Sequence, residues 1–521
     1  MTAPTHSTPA VRRTADGSSA APQAVTDRPS SSTVTDRPSS PTVLDRSSSP
    51  TVADRSSSPT VTDRPSSPGS FGAFVSAARR AGRLVVQPRM GMSDPRAMRA
   101  GLAATRAADA TTVGTVTLDS YTRVGDQAAA RRALAEGVPL NGYPLVTYDT
   151  AVTRSLLDGI QDPAFPVQVR HGSAAPQDIV AALLLAGLDA TEGGPVSYCL
   201  PYGRTPLATS VENWTRSCEL LARTRDHGAD PHLETFGGCM MGQLCPPSLL
   251  VALSVLEALF FAQHGLRSVS LSYAQQTDPV QDEEALHALR RLAEELLPEL
   301  DWHIVVYTYM GVYPRTPDGA RLLLEESARL AVRTGAARLI VKTAAEAHRI
   351  PTVRENVAAL EAAARAAEAE AARTLPTATG QTAGLPMAAG PAPDTGIHAE
   401  ASALVQAVLE ISPDLGRALP QAFVRGYLDV PYCLHPDNAQ RTRSYLDTDG
   451  RLRWSEIGAM PLGGIVELAH EPRLTSSGLL TALRHVERRF DAAALDPSPT
   501  HRPLDAGHRP PARAALSEEG R

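Results

Sequence analysis

The feature that most constrains this chain is an alternation. From Arg83 onward, short apolar runs of β-rich composition take turns with Ala/Leu/Arg segments of helical period. Nine runs read as strand candidates: "RLVVQPRMG", "VGTVTLDS", "YPLVTYD", "PVQVRHG", "GPVSYCL", "HLETFGG", "SVSLSYA", "HIVVYTYMG" and "RLIVKTA". Helices such as "DIVAALLLAG" and "EEALHALRRLAEELLPEL" lie between them. Nine is one too many for an eight-stranded barrel, so one run is expected to be a loop or an insertion. The length of the alternating region, about 300 residues, favours a (β/α)8 barrel over an open doubly wound sheet, which would tend to show a glycine-rich first βα turn. No GxGxxG or GxxxxGK[ST] is present. The expected fold class is α/β: a (β/α)8 TIM barrel with a disordered N-terminal tail and a small α+β C-terminal unit.

The division expected along the chain follows composition. Residues 26–70 carry five copies of a nine-residue unit, from "TDRPSSSTV" to "TDRPSSPGS". Units with one or two small apolar side chains cannot bury enough surface to offset ordering, so residues 1–70 are expected to be a disordered Ser/Pro-rich tail. The barrel is expected over 71–370, ending in the helix "ENVAALEAAARAAEAEAART". A Gly/Pro/Ala/Thr-rich linker spans 371–396. A smaller unit follows over 397–490, with a helix "AEASALVQAVLEI" and a hairpin "SYLDTDGRLRWSEI" whose "DG" suits a tight turn; 491–521 reads as a flexible tail.

Several function classes fall away. The longest apolar run, "SLLVALSVLEALFFAQHG", is interrupted by Glu257 and reads as a core helix, not a bilayer span. The start "MTAPTHSTPAVRR" lacks the apolar stretch of a secretory signal, so a cytoplasmic location is expected. Five Cys residues (Cys199, Cys218, Cys239, Cys245, Cys433) show no CxxC pair and no zinc spacing, which suggests reduced, packed thiols and no metal site. A net charge of −6 offers no field for nucleic acid.

In a barrel the carboxyl ends of the strands form the catalytic face, so polar residues that end apolar runs carry weight. Arg89, Arg123, Arg170, Glu192, Glu234 and Lys342 do so. Three arginines at one mouth would present planar forks to the carboxylates of a small dianion. Glu192 would hold a substrate ammonium or cap a helix. Of the 50 Lys and Arg residues 49 are Arg, and Lys342 is the single Lys. A compact, pKa-adjustable ammonium at a strand end reads either as a Schiff-base nucleophile, as in barrel aldolases, or as a donor to a ligand hydroxyl. Glu346, four residues on, would pair with it or grip the same ligand.

Taken in order, "QPRMG", "LDSYTR", "NGYP", "VQVRHG", "EGGPVSYCLPY", "LETFGG", "YMGVYP" and "IVKTAAEAHRIPT" resemble the epsilon (large) subunit family of glutamate mutase, the adenosylcobalamin-dependent methylaspartate mutase. The resemblance runs from about Arg83 to Glu370 and continues more weakly through "AFVRGYLDVPYCLHPDNAQ". It implies a barrel whose mouth is closed by the corrin of coenzyme B12, carried on a separate sigma (small) subunit, in a heterotetramer of two large and two small chains. By that resemblance Arg89, Arg123 and Arg170 clamp the two carboxylates of L-glutamate. Glu192 holds the amino group and accepts its proton, with Tyr198 and Tyr202 completing the pocket and His171 beside it. Gly91, Asn141, Pro201, Tyr313, Lys342, Glu346 and Ile350 map to coenzyme contacts, and Lys342 with Glu346 to the grip on the adenosyl ribose, so the aldolase reading recedes.

The reaction implied is radical: homolysis of the cobalt to carbon bond, hydrogen abstraction from L-glutamate, and fragmentation and recombination to (2S,3S)-3-methylaspartate. The chain lacks a DxHxxG cobalamin-ligand motif, since Val306 stands where Gly would follow Asp301-Trp302-His303. Near the mouth it departs from the family at "GPVSYC", Thr235, "SYAQQTD" and Tyr307-Thr308-Tyr309. Two other readings stay open: the same chemistry on a different amino-acid dianion, and a non-catalytic scaffold or regulator of a B12-binding partner.

Overall fold

Eight parallel strands run in the order β1-β8-β7-β6-β5-β4-β3-β2 among the described residues, with β1 as Val85–Pro88, β2 as Gly114–Thr117, β3 as Val167–Arg170, β4 as Ala190–Gly193, β5 as His232–Thr235, β6 as Ser268–Ala274, β7 as Asp301–Tyr307 and β8 as Arg338–Val341. The structure is a computed structural model that describes residues 70–201, 203–239, 244–374, 395–468 and 475–495. Val86 pairs with Thr112, and its N–H donates to the Thr111 carbonyl at 2.9 Å, so β1 meets the entry to β2 and closes the ring. A helix follows each strand, from Pro95–Arg106 after β1 to Val353–Thr374 after β8. This is the expected (β/α)8 TIM barrel. The repeat tail up to residue 69, most of the expected linker (375–394) and residues 496–521 lie outside the described residues.

Seven of the nine strand candidates contain strands, and two do not. "YPLVTYD" turns instead: Tyr143 makes one bridge to Leu118, and then the Thr147 and Tyr148 amides both donate to the Pro144 carbonyl. "GPVSYCL" is also a turn, because the amides of Val196 and Ser197 are taken by the buried Glu257 carboxylate at 3.3 and 2.9 Å. The strand at this place in the barrel is the preceding "ATEG" of β4, which has no apolar run.

Many of the positions that line the barrel interior are polar, while Val85, Ala190 and Ala337 cluster on Phe71. Inside, Gln87 donates to Thr115 and Gln168 at 2.9 and 2.8 Å, His232 bridges Ser268 and Ser270 at 2.9 and 3.0 Å, and Arg338 pairs with Glu234 with both side chains fully buried. Barrel interiors are more often filled by branched apolar layers. Here the polar groups satisfy one another, which is what permits their burial. The helix Phe71–Arg80, capped by Ser70, lays Phe71 against this column, its ring 5.0 Å from both the Arg338 guanidinium and the His232 ring.

The core helix expected around Glu257 is Pro247–Gln263, buried along nearly its whole length. Helices Ile397–Ile411 and Leu415–Arg425 pack on the barrel helices, and the expected hairpin is β9 (Thr442–Leu446) with β10 (Leu452–Ile457), turning at Gly450 with φ 82°. No helix of the described residues is long and apolar enough to cross a membrane.

Candidate active site

At the carboxyl end of the barrel a buried cluster forms around Glu192. Arg170, the last residue of β3, donates from Nε to Glu192 Oε2 at 2.7 Å. Tyr307, the last residue of β7, reaches the same oxygen at 2.8 Å, and the Tyr198 hydroxyl donates to Oε1. The Tyr307 hydroxyl also contacts Glu234 and accepts from Arg170 Nη2 at 3.1 Å. Its one proton serves one carboxylate at a time. Burial, opposed by Arg170 and reinforced by the two carboxylates, pushes the Tyr307 phenol well above its ordinary range. Two cations, Arg170 and Arg338, balance Glu192 and Glu234.

Two atoms of this cluster have no hydrogen-bond partner among the described residues: Arg170 Nη1 and His171 Nε2, both buried. The His171 tautomer follows from geometry, since Nδ1 accepts the Ser173 N–H at 3.0 Å and so leaves the proton on Nε2. Burial, helped by Arg123, pushes His171 down to about 3, which keeps the ring neutral. It stacks on Trp214 at 5.8 Å and meets Tyr198 edge-on at 5.1 Å. Two buried donors without acceptors suit an anionic ligand.

Local structure explains the placement. Asp119 caps the short helix Ser120–Val124 through the Tyr121 and Thr122 amides and so presents Arg123, which makes no ion pair among the described residues. Arg123 lies against Gly172, where a Cβ would come 3.4 Å from Arg123 Cδ and φ is +91°. Glu257 fixes the turns after β4 and β5 together: its carboxylate accepts from the amides of Val196, Ser197, Phe236 and Gly237 at 3.3, 2.9, 3.2 and 2.8 Å. Burial pushes this carboxyl up to about 7 against those donors.

A second cluster sits beside it. Lys342 follows β8, donates to the Tyr309 carbonyl at 3.3 Å and lies 4.2 Å from the Tyr313 ring centroid. Burial lowers its pKa to about 8, with Glu346 opposing. Arg89 Nη1 pairs with Glu346 Oε2 at 2.9 Å, and the Thr343 amide donates to Oε1 at 3.2 Å. The Tyr313 hydroxyl is buried without a partner among the described residues. Thus Arg170, His171, Glu192 and Tyr198 come together, while Arg89 is engaged with Glu346 on the Lys342 side.

The remaining candidates ring this face. Asn141 Oδ1 accepts the Ser120 amide at 2.9 Å, Gly91 abuts the Thr117 carbonyl so closely that a Cβ would fall 2.1 Å from it, Pro201 lies in the turn after Tyr198, and Ile350 is 62% exposed. Tyr202 lies outside the described residues. Tyr307 and Arg338 were not among the sequence candidates. The first had a signal as a departure from the family pattern, the second as a charge opening an apolar strand.

Residues 66–487 match the methylaspartate mutase E chain (MutE) family. The chain belongs to that family. Among its relatives, a glutamate mutase epsilon subunit of Halobacterium salinarum is 30% identical over 368 residues, 69% of this chain and 74% of the relative. Those of Escherichia coli O157:H7 and Desulfitobacterium hafniense are 28% and 29% identical, over 68% and 70% of this chain and 74% and 75% of their own lengths. As a MutE family member the chain is a mutase subunit, an isomerase component, and the clusters at the barrel mouth lie within the matched span.

Proposed function

We propose that this chain is the large catalytic subunit of a coenzyme B12-dependent carbon-skeleton mutase that interconverts L-glutamate and (2S,3S)-3-methylaspartate by radical chemistry. The observation that carries the reading is Arg170: buried, tied to Glu192 at 2.7 Å, with Nη1 left without a partner. A guanidinium held this way binds one carboxylate of a dianion, Arg123 beside Gly172 binds the other, and His171 donates from Nε2. Glu192 then pairs with the substrate ammonium and can take its proton, and Tyr198 and Tyr307 hold that carboxylate in place. Arg89 orients Glu346.

Lys342, Glu346 and the unpartnered Tyr313 hydroxyl form a donor and acceptor set that fits the diol of a sugar, so these residues would hold the ribose of adenosylcobalamin, with Gly91, Asn141, Pro201 and Ile350 around it. When bound, that coenzyme supplies the radical through its cobalt to carbon bond. The chain's own work is to bind the substrate, hold its charges and keep water out. The partner is a separate B12-binding small subunit, two of each chain making a heterotetramer in the cytoplasm.

A second reading keeps the chemistry and changes the amino-acid dianion. It is favoured by Tyr307, whose hydroxyl ties Glu192 to Glu234 in the pocket wall. Turnover by the chain with its small subunit and adenosylcobalamin decides between them: L-glutamate should be used and L-glutamine, which lacks the second carboxylate, should not. Turnover of another dianion in place of L-glutamate would select the second reading.

A further inference from the structure

The segment "AFVRGYLDVPYCLHPDNAQ" has no part in either cluster, yet it touches the chain that follows Tyr198. The loop 429–442, which begins in this segment, is closed by its own side chains. The Asp429 carboxylate accepts the amides of Gln440, Arg441 and Thr442 at 2.8, 2.6 and 2.8 Å. Asn438 closes the loop from inside, accepting the Val430 amide at 2.8 Å and donating to the Val430 and Cys433 carbonyls at 2.9 and 3.1 Å.

The tip of that loop grips the chain that follows Tyr198. His435 is 1% exposed; its Nδ1 accepts the Asp437 amide at 3.1 Å, so the proton is on Nε2, which donates to the Thr205 carbonyl at 3.0 Å. Asp437 Oδ2 accepts the Leu207 amide at 2.7 Å. Leu207 is the first residue of the helix Leu207–Arg223, whose own N-cap is Pro206 and makes no side-chain cap. A residue 230 positions away therefore supplies the missing cap. Cys433 adds a thiol contact to the Leu200 carbonyl.

Strain collects at the same place. The non-glycine residues with positive φ among the described residues are Leu244, Tyr432 and Gln440, at 61°, 61° and 58°. Tyr432 and Gln440 flank the tip, and Leu244 accepts from the Ser444 hydroxyl just beyond it. Such conformations persist where the surroundings over-determine them.

We infer that the loop 429–442 is an intrachain clamp, and that His435 and Asp437 are positioning residues that set the segment 203–207, which follows Tyr198 and Pro201 in the chain. The effect on turnover rests on the function proposed above; the effect on the segment does not. The test is hydrogen exchange on the intact chain, together with kinetics in the complex with the small subunit and adenosylcobalamin. Asp437, whose side chain is 39% exposed, can be changed without opening the core. In Asp437→Ala the amides of 203–207 should exchange about five- to tenfold faster, as expected for a lost cap, with the rest of the barrel unchanged. Asp437→Asn, which keeps an acceptor, should restore protection. His435→Ala should act on the same segment, and KM for L-glutamate should rise with kcat little changed. Exchange that stays at the wild-type rate in 203–207, or that quickens evenly over the chain, would overturn the clamp; faster exchange with an unaltered KM would overturn its link to the pocket. A wild-type complex without turnover would tell against the proposed function and leave the exchange result to decide the clamp.

Discussion

Arg170 and Glu192 are joined through Nε and Oε2 at 2.7 Å, and the same guanidinium keeps one nitrogen, Nη1, buried and without a partner among the described residues. A planar fork can serve Glu192, Tyr307 and a ligand carboxylate at once, and a point ammonium cannot. Arg170→Lys should therefore lower kcat/KM for L-glutamate by about a hundredfold, roughly 2–3 kcal/mol for a lost charge-assisted contact. Steady-state kinetics on the folded variant check this; near-normal efficiency would take Arg170 out of the pocket.

His171 should stay neutral, with its proton on Nε2, at every pH the folded chain tolerates above about 4, because burial pushes it down to about 3 and Ser173 occupies Nδ1. Ring-nitrogen NMR of labelled histidine reads this directly. A charged ring near neutrality, or a proton on Nδ1, would contradict the geometry.

Lys342 gives a pH dependence with a definite sign. Its pKa falls from 10.5 to about 8 through burial, so the ammonium that would donate to a ribose hydroxyl is present below about 8 and lost above it. The apparent KM for adenosylcobalamin should be flat on the acid side and rise through about pH 8. The same shift means that burying the ammonium costs stability below about 8, and that this cost lifts between about 8 and 10.5, where the unfolded chain binds more protons. Lys342→Arg should fold, use the coenzyme poorly and show no such break. A break retained in that variant would assign it to another group.

Glu257→Gln tests the platform under the site. The substitution puts an amide NH2 among four backbone donors that a carboxylate now satisfies, and buried donors left facing a donor cost about 2–4 kcal/mol in total. Chemical denaturation should show a loss of that size, with faster exchange at Val196, Ser197, Phe236 and Gly237. A loss under about 0.5 kcal/mol would mean that the turns hold themselves.

What the sequence revealed and what it hid follow from range. The alternation announced the barrel because helix and strand periods are local, and Lys342 stood out because composition is local too. β4 was hidden: "ATEG" becomes a strand through its ladders with β3 and β5, while "GPVSYCL", with better strand composition, is bent into a turn by Glu257 about 60 residues later. The candidates on strand ends were legible, but not their partners. That Arg89 goes to Glu346 and that Tyr307 joins Glu192 to Glu234 depend on which strand ends face each other, and barrel closure decides that. His435 and Asp437 were invisible as positioning residues because their partners lie 230 positions away.

The measurement that tests the account most directly combines the chain, a cognate B12-binding small subunit, adenosylcobalamin and L-glutamate, and follows 3-methylaspartate by NMR with each component left out in turn. Product is expected only when all four are present. No product from the full mixture, with the small subunit and coenzyme bound and no other amino-acid dianion turned over, would contradict a catalytic role and leave the chain a scaffold for its partner.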